Sequence, residues 1–260
     1  MTPSLQLRSI ELRVSDLPRS LDFYVRQLGF IPLHQAAGHA DLAVDAGGPA
    51  VLMLTEDRSA PPAPPGSAGL FHSALLLPDR KSLGAWLRHA GENGVEFDGF
   101  SDHGVSEAVY LTDPDGNGLE FYSDRPRDQW PRHGGQIGMF THPLDVPALL
   151  ALGADAPAHP PLAGARWGHL HLRVTGLERS GAFYRPLLGV EVTQSSYPGA
   201  LFLAADGYHH HLGLNTWGRP RAPQPPGALG LVEATFARTG VASPQRVRDP
   251  DGIALQLVAS

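Results

Sequence analysis

The chain has 260 residues, 42% of them hydrophobic, a formal net charge of −6, 13 histidines and no cysteine. That length and apolar content suffice for a substantial core in one large or two ordinary domains, and basic residues scattered through a net acidic chain leave no footprint for a polyanion, so nucleic acid is not an expected partner. Without cysteine there are no disulfides, no thiolate catalysis and no sulfur-ligated zinc; a metal has to be held by His, Asp, Glu or backbone oxygen, donors suited to iron(II) or manganese(II).

No apolar run approaches the roughly 20 residues that span a bilayer, and "MTPSLQLRSI" lacks the basic and apolar regions of a signal peptide. The expectation is a cytoplasmic protein with no membrane partner. From the N-terminus, "ELRVSDLPRSLDFYVRQLGF" (11–30) reads as a short alternating strand, a turn and an apolar helical pattern that stops at Gly29. The runs "HADLAVDAG" and "AVLMLTE" follow as strands separated by Gly-rich turns. "GLFHSALLLPDRKSLGAWLRHAGENGV" (69–95) is again strand, turn, helix and Gly stop, and leads into the strands of "DHGVSEAVYLTDPDGNGLEFY" (102–122). "HLRVTGLERSGAFYRPLLGV" (171–190) matches 11–30 in register at Leu-Arg-Val, Leu, Arg-Ser, Phe-Tyr and Leu-Gly, which marks a duplication. "GALFLAADG" and "HHHLGLN" are its later strands, and "GLVEATFARTG" (230–240) opens a last copy whose helix is almost deleted.

Four units of βαβββ type are therefore expected: 7–56 and 69–124 in an N-terminal half (1–125), and 167–216 and 228–260 in a C-terminal half (167–260). The Pro-rich segments "RSAPPAPPGSAG" and "GRPRAPQPPGA" join units within each half, since neither suits a helix or strand interior; the stretch 126–166 links the halves. Asp-Pro-Asp-Gly occurs twice, in "TDPDGNGLEFY" and in "RDPDGIALQLV", but Glu120 of the first is matched by Gln256 of the second. The tetrapeptide itself reads as a structural turn, with Pro fixing φ, Gly allowing positive φ and Asp capping locally.

Four such modules resemble the vicinal oxygen chelate superfamily, which implies an α+β fold of paired βαβββ modules in two barrel-like domains. Within it, His103, Val109, Tyr110, Asp113, Pro114, Gly116 and Glu120 stand where the signature of type I extradiol ring-cleaving dioxygenases has them. "GLFHSALLLPDR" and "YHHHLGLN" are similar to segments of the catechol 2,3-dioxygenase type. The resemblance implies a non-haem iron(II), or manganese(II), enzyme that cleaves a catechol-like ring with O2.

It also implies the ligands. In the family two His come from the first strands of paired modules and a Glu from the last strand of one, which carries over to His72 and Glu120 in module two. Module one has Ser9 at the corresponding first-strand position, whereas module three has His169, so modules two and three are expected to pair; the alternative is pairing of one with two and three with four. His210 corresponds to the family's acid–base residue, and His103 and Tyr110 to groups that bind the substrate's hydroxyl oxygens. If the His run belongs to a strand, His209 and His211 face away from His210, and His171 reads as an outward or supporting residue. Trp86, Trp130, Trp167 and Trp217 read as core or pocket wall. Two other classes stay open: another metal-dependent member of the superfamily, such as a glyoxalase-type isomerase or a thiol or epoxide-opening transferase, and a metal-free small-molecule binder. The oligomeric state is likewise open, a homo-oligomer included.

Overall fold

The computed structural model describes residues 3–154, 160–220 and 222–260; positions 155–159 of the expected linker lie outside the described residues. The first module comprises β1 (Leu5–Val14), α1 (Leu17–Leu21) widening into a π-helical stretch over Asp22–Gln27, β2 (Ile31–Ala36), β3 (His39–Ala43) and β4 (Leu52–Glu56). The second comprises β5 (Gly69–Leu76), α2 (Arg80–Glu92), β6 (Gly99–Asp102), β7 (Ser106–Thr112) and β8 (Gly118–Asp124). After the short strands β9 (Arg132–His133), β10 (Gln136–Ile137) and β11 (His142–Pro143) comes α3 (Val146–Gly153). The third module is β12 (Arg166–Arg173), α4 (Leu177–Leu188), β13 (Glu191–Gln194), β14 (Ala200–Ala204) and β15 (Leu212–Asn215). The fourth has only β16 (Gly230–Arg238), β17 (Gln245–Arg248) and β18 (Ala254–Ala259): the stretch 239–244 between its first two strands is too short for the helix and the further strand that a βαβββ unit requires.

Local chemistry accounts for these elements. Leu5, Leu7, Ile10, Leu12 and Val14 are buried along β1, an alternation interrupted by a register shift between Leu7 and Ser9. At the start of α1, Asp16 accepts from the Arg19 amide at 2.9 Å, with Pro18 in the first turn. The α4 helix ends at Gly189, whose φ of +67° suits a residue without a Cβ.

The strands of modules two and three form one nine-stranded sheet, in the order β11-β6-β7-β8-β5-β12-β15-β14-β13. Those of modules one and four form a seven-stranded sheet, β17-β18-β16-β1-β4-β3-β2. The seams are the antiparallel pairs β5–β12 and β1–β16. Each sheet takes one module from each half of the chain, so the halves are stretches of sequence and not separate sheets. The segment between them is also structural: β11 pairs with β6, and α3 lies so close to α2 that a Cβ on Gly84 would stand 2.2 Å from the Leu149 carbonyl oxygen.

One large apolar cluster draws on both sheets, joining Leu7, Ile10 and Leu12 of β1 to Leu75, Phe121, Leu170 and Leu172 of the larger sheet. Burying side chains of this size stabilises by about 1.5–3 kcal/mol each. Trp86 stacks on Phe121 at 3.8 Å and donates to the Leu28 carbonyl, and Trp167 donates to the Val51 carbonyl, so both indoles tie the sheets together.

The two Asp-Pro-Asp-Gly turns act as matching clasps. Asp113 accepts from the Tyr24 hydroxyl (2.8 Å), and Asp115 from the Ser15 amide and hydroxyl (2.9 and 2.6 Å) and from Arg19. In the second copy Asp249 accepts from Tyr184 (2.9 Å), and Asp251 from Thr175 and Arg179. Each turn in one sheet thus holds the strand–helix corner of the other. This is a structural role common to both copies, and it does not involve position 120 or 256.

Candidate active site

The register of the larger sheet assembles a cluster of donors. Ala74 on β5 pairs with Glu120 on β8 on one side and with His169 on β12 on the other, while His72 pairs with His171 two residues along. Residues two apart on a strand share a face, so His72, Glu120, His169 and His171 all project from the face opposite the main core. The methyl group of Ala74 leaves the space between them open.

Glu120 Oε2 lies 3.0 Å from His72 Nε2 and 3.2 Å from His169 Nε2, and all three side chains are buried. Their donor atoms lie within 4.8 Å of one another, and among the described residues this is the group with metal-binding geometry. Burial would raise the Glu120 carboxyl, but His169, by charge and hydrogen bond, and the nearby His72 outweigh it and hold the group well below the usual carboxylate range. Burial lowers His169 to about 4 in spite of the carboxylate beside it. At neutral pH the set is therefore one carboxylate with a neutral His169. His72 Nε2, although 3.0 Å from the carboxylate, is buried without an aligned hydrogen-bond partner. Two imidazole nitrogens converging on one carboxylate oxygen, one of them orphaned, fit a divalent cation between them.

A cavity of about 300 Å³ opens beside this cluster. Phe71, Phe202, Trp217, Tyr197, Met139 and Phe140 form an apolar wall, and His72, Glu120, His103, Tyr110, His171 and His210 present polar atoms to it. Tyr110 stands directly across the β7–β8 ladder from Glu120. Its phenol is pushed well up, first by burial and then by that carboxylate, and so stays protonated. His103, in the turn after β6, is held from both sides: its Nδ1 lies 2.6 Å from the Phe140 carbonyl and its Nε2 2.7 Å from the Tyr110 hydroxyl. A carbonyl only accepts, so in the neutral ring Nδ1 carries the proton and Nε2 accepts from Tyr110.

Two expectations about orientation change. His209 to His211 precede β15 in a turn, so strand alternation does not apply to them. His209 and His210 both turn inward, with Nδ1 atoms 2.7 Å apart, whereas His211 accepts from the Ala205 amide and lines an outer cleft. His171 does not face outward: its ring lies 4.8 Å from that of His72 and lines the cavity, resting on Gly213, where a Cβ would come within 2.8 Å of it. Burial holds His171 and His210 well below the usual imidazole value, so both are neutral.

The sequence reading missed several contributors. Met139, Phe140 and Thr141 reach the cavity from the segment assigned as a linker, and Asp124 contacts His209 at 2.8 Å from the end of β8. No motif marks these positions, and only the fold brings them near. Of the four tryptophans, Trp217 is pocket wall; Trp130 packs beside Tyr208 in a second apolar cluster. In the smaller sheet Ser9, Glu233 and Gln256 occupy the positions that correspond to the donors; Glu233 pairs with Arg246 there, and Gln256 accepts from Thr235.

Comparison with known proteins agrees with this architecture. Residues 6–121 match the family model described as the glyoxalase/bleomycin resistance protein/dioxygenase superfamily. The chain is 44% identical over 226 residues to a catechol-2,3-dioxygenase of Bacillus subtilis (strain 168), covering 85% of this chain and 78% of the relative. It is 25% identical over 162 residues to biphenyl-2,3-diol 1,2-dioxygenase 2 of Rhodococcus globerulus, covering 59% and 85%. A crystal structure of a Bacillus subtilis protein named provisionally as a dioxygenase superposes with a TM-score of 0.68 at 12% identity, covering 100% of this chain and 86% of the other, a likeness of fold alone. No described helix is long and apolar enough to cross a membrane.

Proposed function

This chain belongs to the glyoxalase/bleomycin resistance protein/dioxygenase superfamily, and on that footing we propose that it is a non-haem iron(II) extradiol dioxygenase that opens the ring of a catechol-like aromatic with O2. The observation that carries this reading is a two-His, one-carboxylate donor set that reaches the cavity through His72 and Glu120, together with three further polar side chains lining that cavity, His103, Tyr110 and His210. An isomerase or a passive binder has less use for those three. The relative named as a catechol-2,3-dioxygenase supports the same substrate class.

His72, Glu120 and His169 would hold the metal, which, when bound, supplies Lewis acidity toward the diol oxygens and O2 chemistry. The donors suit manganese(II) as well. The chain's own residues do the rest. Phe71, Phe202 and Trp217 wall the pocket with aromatic faces that accept a planar ring and exclude water. Tyr110 stays protonated and donates to His103, whose own orientation the Phe140 carbonyl fixes; the phenol oxygen is thereby held as an acceptor that positions a substrate hydroxyl in the cavity. Neutral His210, on the opposite wall, accepts the proton of a substrate hydroxyl.

Anaerobic iron(II) titration of the wild type and of Glu120→Gln tests the proposal, followed by oxygen uptake with catechols. One tight site in the wild type, lost in the variant, together with uptake that depends on a catechol, is the expected result. Equal binding by both proteins, or none by either, would sink the ligand assignment and favour the metal-free binder.

A further inference from the structure

His210 is not isolated behind the cavity. Its Nδ1 lies 2.7 Å from Nδ1 of His209, and His209 Nε2 lies 2.8 Å from Oδ1 of Asp124, a side chain about a quarter exposed. With both imidazoles in the neutral form, hydrogen-bond bookkeeping assigns each proton. The Asp124 carboxylate only accepts, so His209 Nε2 carries the hydrogen. A neutral His209 with its hydrogen on Nε2 has a lone pair on Nδ1, so His210 must donate from Nδ1. That leaves His210 Nε2 as a lone pair, and it makes no hydrogen bond to the described residues of the protein. Reversing one tautomer alone would set two N–H groups, or two lone pairs, against each other at 2.7 Å, and reversing both would set a His209 Nε2 lone pair against the Asp124 carboxylate at 2.8 Å.

The surroundings hold the chain of bonds in place. The His209 ring is packed against the tilted ring of Tyr208 at 4.0 Å and flanked by Trp130 at 5.2 Å, and its carbonyl accepts from Thr193. Tyr208 also donates to Asp124 Oδ1, and since that uses its hydrogen, Tyr122 must donate to the Tyr208 hydroxyl. The hydrogens of His209, Tyr208 and Tyr122 are thus committed within the protein.

From this geometry we infer that Asp124 and His209 are positioning residues that lock His210 in the tautomer with its hydrogen on Nδ1, so that Nε2 is ready to take a proton in the cavity. The inference rests on the reading of His210 as the acid–base group. When a substrate O–H bond breaks and the proton forms an N–H bond at Nε2, the Nδ1–H bond to His209 and the His209 bond to Asp124 remain in place, and the carboxylate at the far end stabilises the new charge. A catalytic Ser-His-Asp triad uses a carboxylate on an imidazole in the same way; here a second imidazole stands between them.

The test is the proton position itself, read by multiple-bond ¹H–¹⁵N correlation on full-length, ¹⁵N-histidine-labelled protein, both metal-free and loaded with zinc(II). The expected wild-type result is His210 protonated on Nδ1 and His209 on Nε2. In His209→Phe the acceptor is gone, and His210 should shift toward the Nε2–H form that free imidazole favours. His209→Asn keeps an acceptor oxygen at the same position and should stay nearer the wild type. Asp124→Ala, at a partly exposed site, should loosen both rings without disturbing the core. In turnover with a catechol, His209→Phe should lower kcat about 10–100-fold, the range typical of such outer-shell partners, with KM unchanged and partial recovery in His209→Asn. A wild-type His210 protonated on Nε2, or a tautomer that neither His209→Phe nor Asp124→Ala alters, would overturn the inference. Tautomers as expected in a wild type that cleaves no catechol would support the lock and overturn the proposed reaction instead.

Discussion

At the residue scale the site depends on single atoms. Glu120→Gln keeps the shape of the side chain and removes its charge, so the variant is expected to lose tight metal binding while folding normally, which anaerobic titration with parallel circular dichroism would check. Tyr110→Phe removes one hydroxyl from the cavity and leaves the His103 Nε2 acceptor without its donor. We expect kcat to fall about 10–100-fold, the general range for a positioned hydrogen-bonding group, with metal affinity unchanged; a wild-type kcat would remove Tyr110 from the mechanism. The six residues expected to act were legible in the sequence because a family signature and a repeat register mark them. His171, Asp124 and His209 were not, because their significance lies in what they face.

The elements explain why the Asp-Pro-Asp-Gly turn occurs twice. Tyr24–Asp113 and Tyr184–Asp249 are corresponding hydrogen bonds, each between a helix of one sheet and a turn of the other. Tyr24→Phe and Tyr184→Phe should each destabilise by about 1–3 kcal/mol, because a buried carboxylate loses one donor. Their effects should add, as expected of separate sites. Urea denaturation of the two single variants and the double variant would show this, and marked non-additivity would mean that the clasps are coupled. Gly213 offers a second test on β15. An Ala there would press on the His171 ring at 2.8 Å, for a cost of about 1–3 kcal/mol, and should raise KM for a catechol more than it lowers kcat. An unchanged KM would mean that the ring does not shape the cavity. Module four shows the limit of pattern reading: the near-deletion of its helix is legible in the sequence, but the loss of a strand as well is plain only from the observed connection between β16 and β17.

For the whole molecule, burial of histidine sets the response to pH. His169 and His211 are lowered to about 4 by burial, whereas in the unfolded chain each takes up a proton near its ordinary value of 6.5. Between those limits the unfolded state binds more protons, so stability falls as pH drops from about 6.5 toward about 4, by about 1.4 kcal/mol per pH unit for each imidazole. Glu120, held below the usual carboxylate range, adds its own loss only below about pH 4.5. Denaturant midpoints of the metal-free protein between pH 7.5 and 4.5 would reveal the slope, and a flat profile across pH 6.5–5 would contradict the buried, neutral imidazoles. Metal binding to the folded protein should weaken only as the pH approaches about 4, where protons begin to compete for the His169 nitrogen.

The sequence by itself determined the repeat and the α+β class, because strand alternation and helix stops are local properties of the chain, and a family resemblance carried by a spaced signature nominated the six residues expected to act. The asymmetry between Glu120 and Gln256 was equally plain, along with its chemical meaning that an amide cannot balance a cation's charge. What only the tertiary structure decided was contact across long separations: β5 seated against β12 brings His72 and His169 onto one carboxylate, and the end of β8 meets the turn before β15 to place Asp124 on His209. Such contacts depend on which strands pair and on how sharply the chain turns before them. These are set by the summed burial of both sheets, and no single segment carries that information.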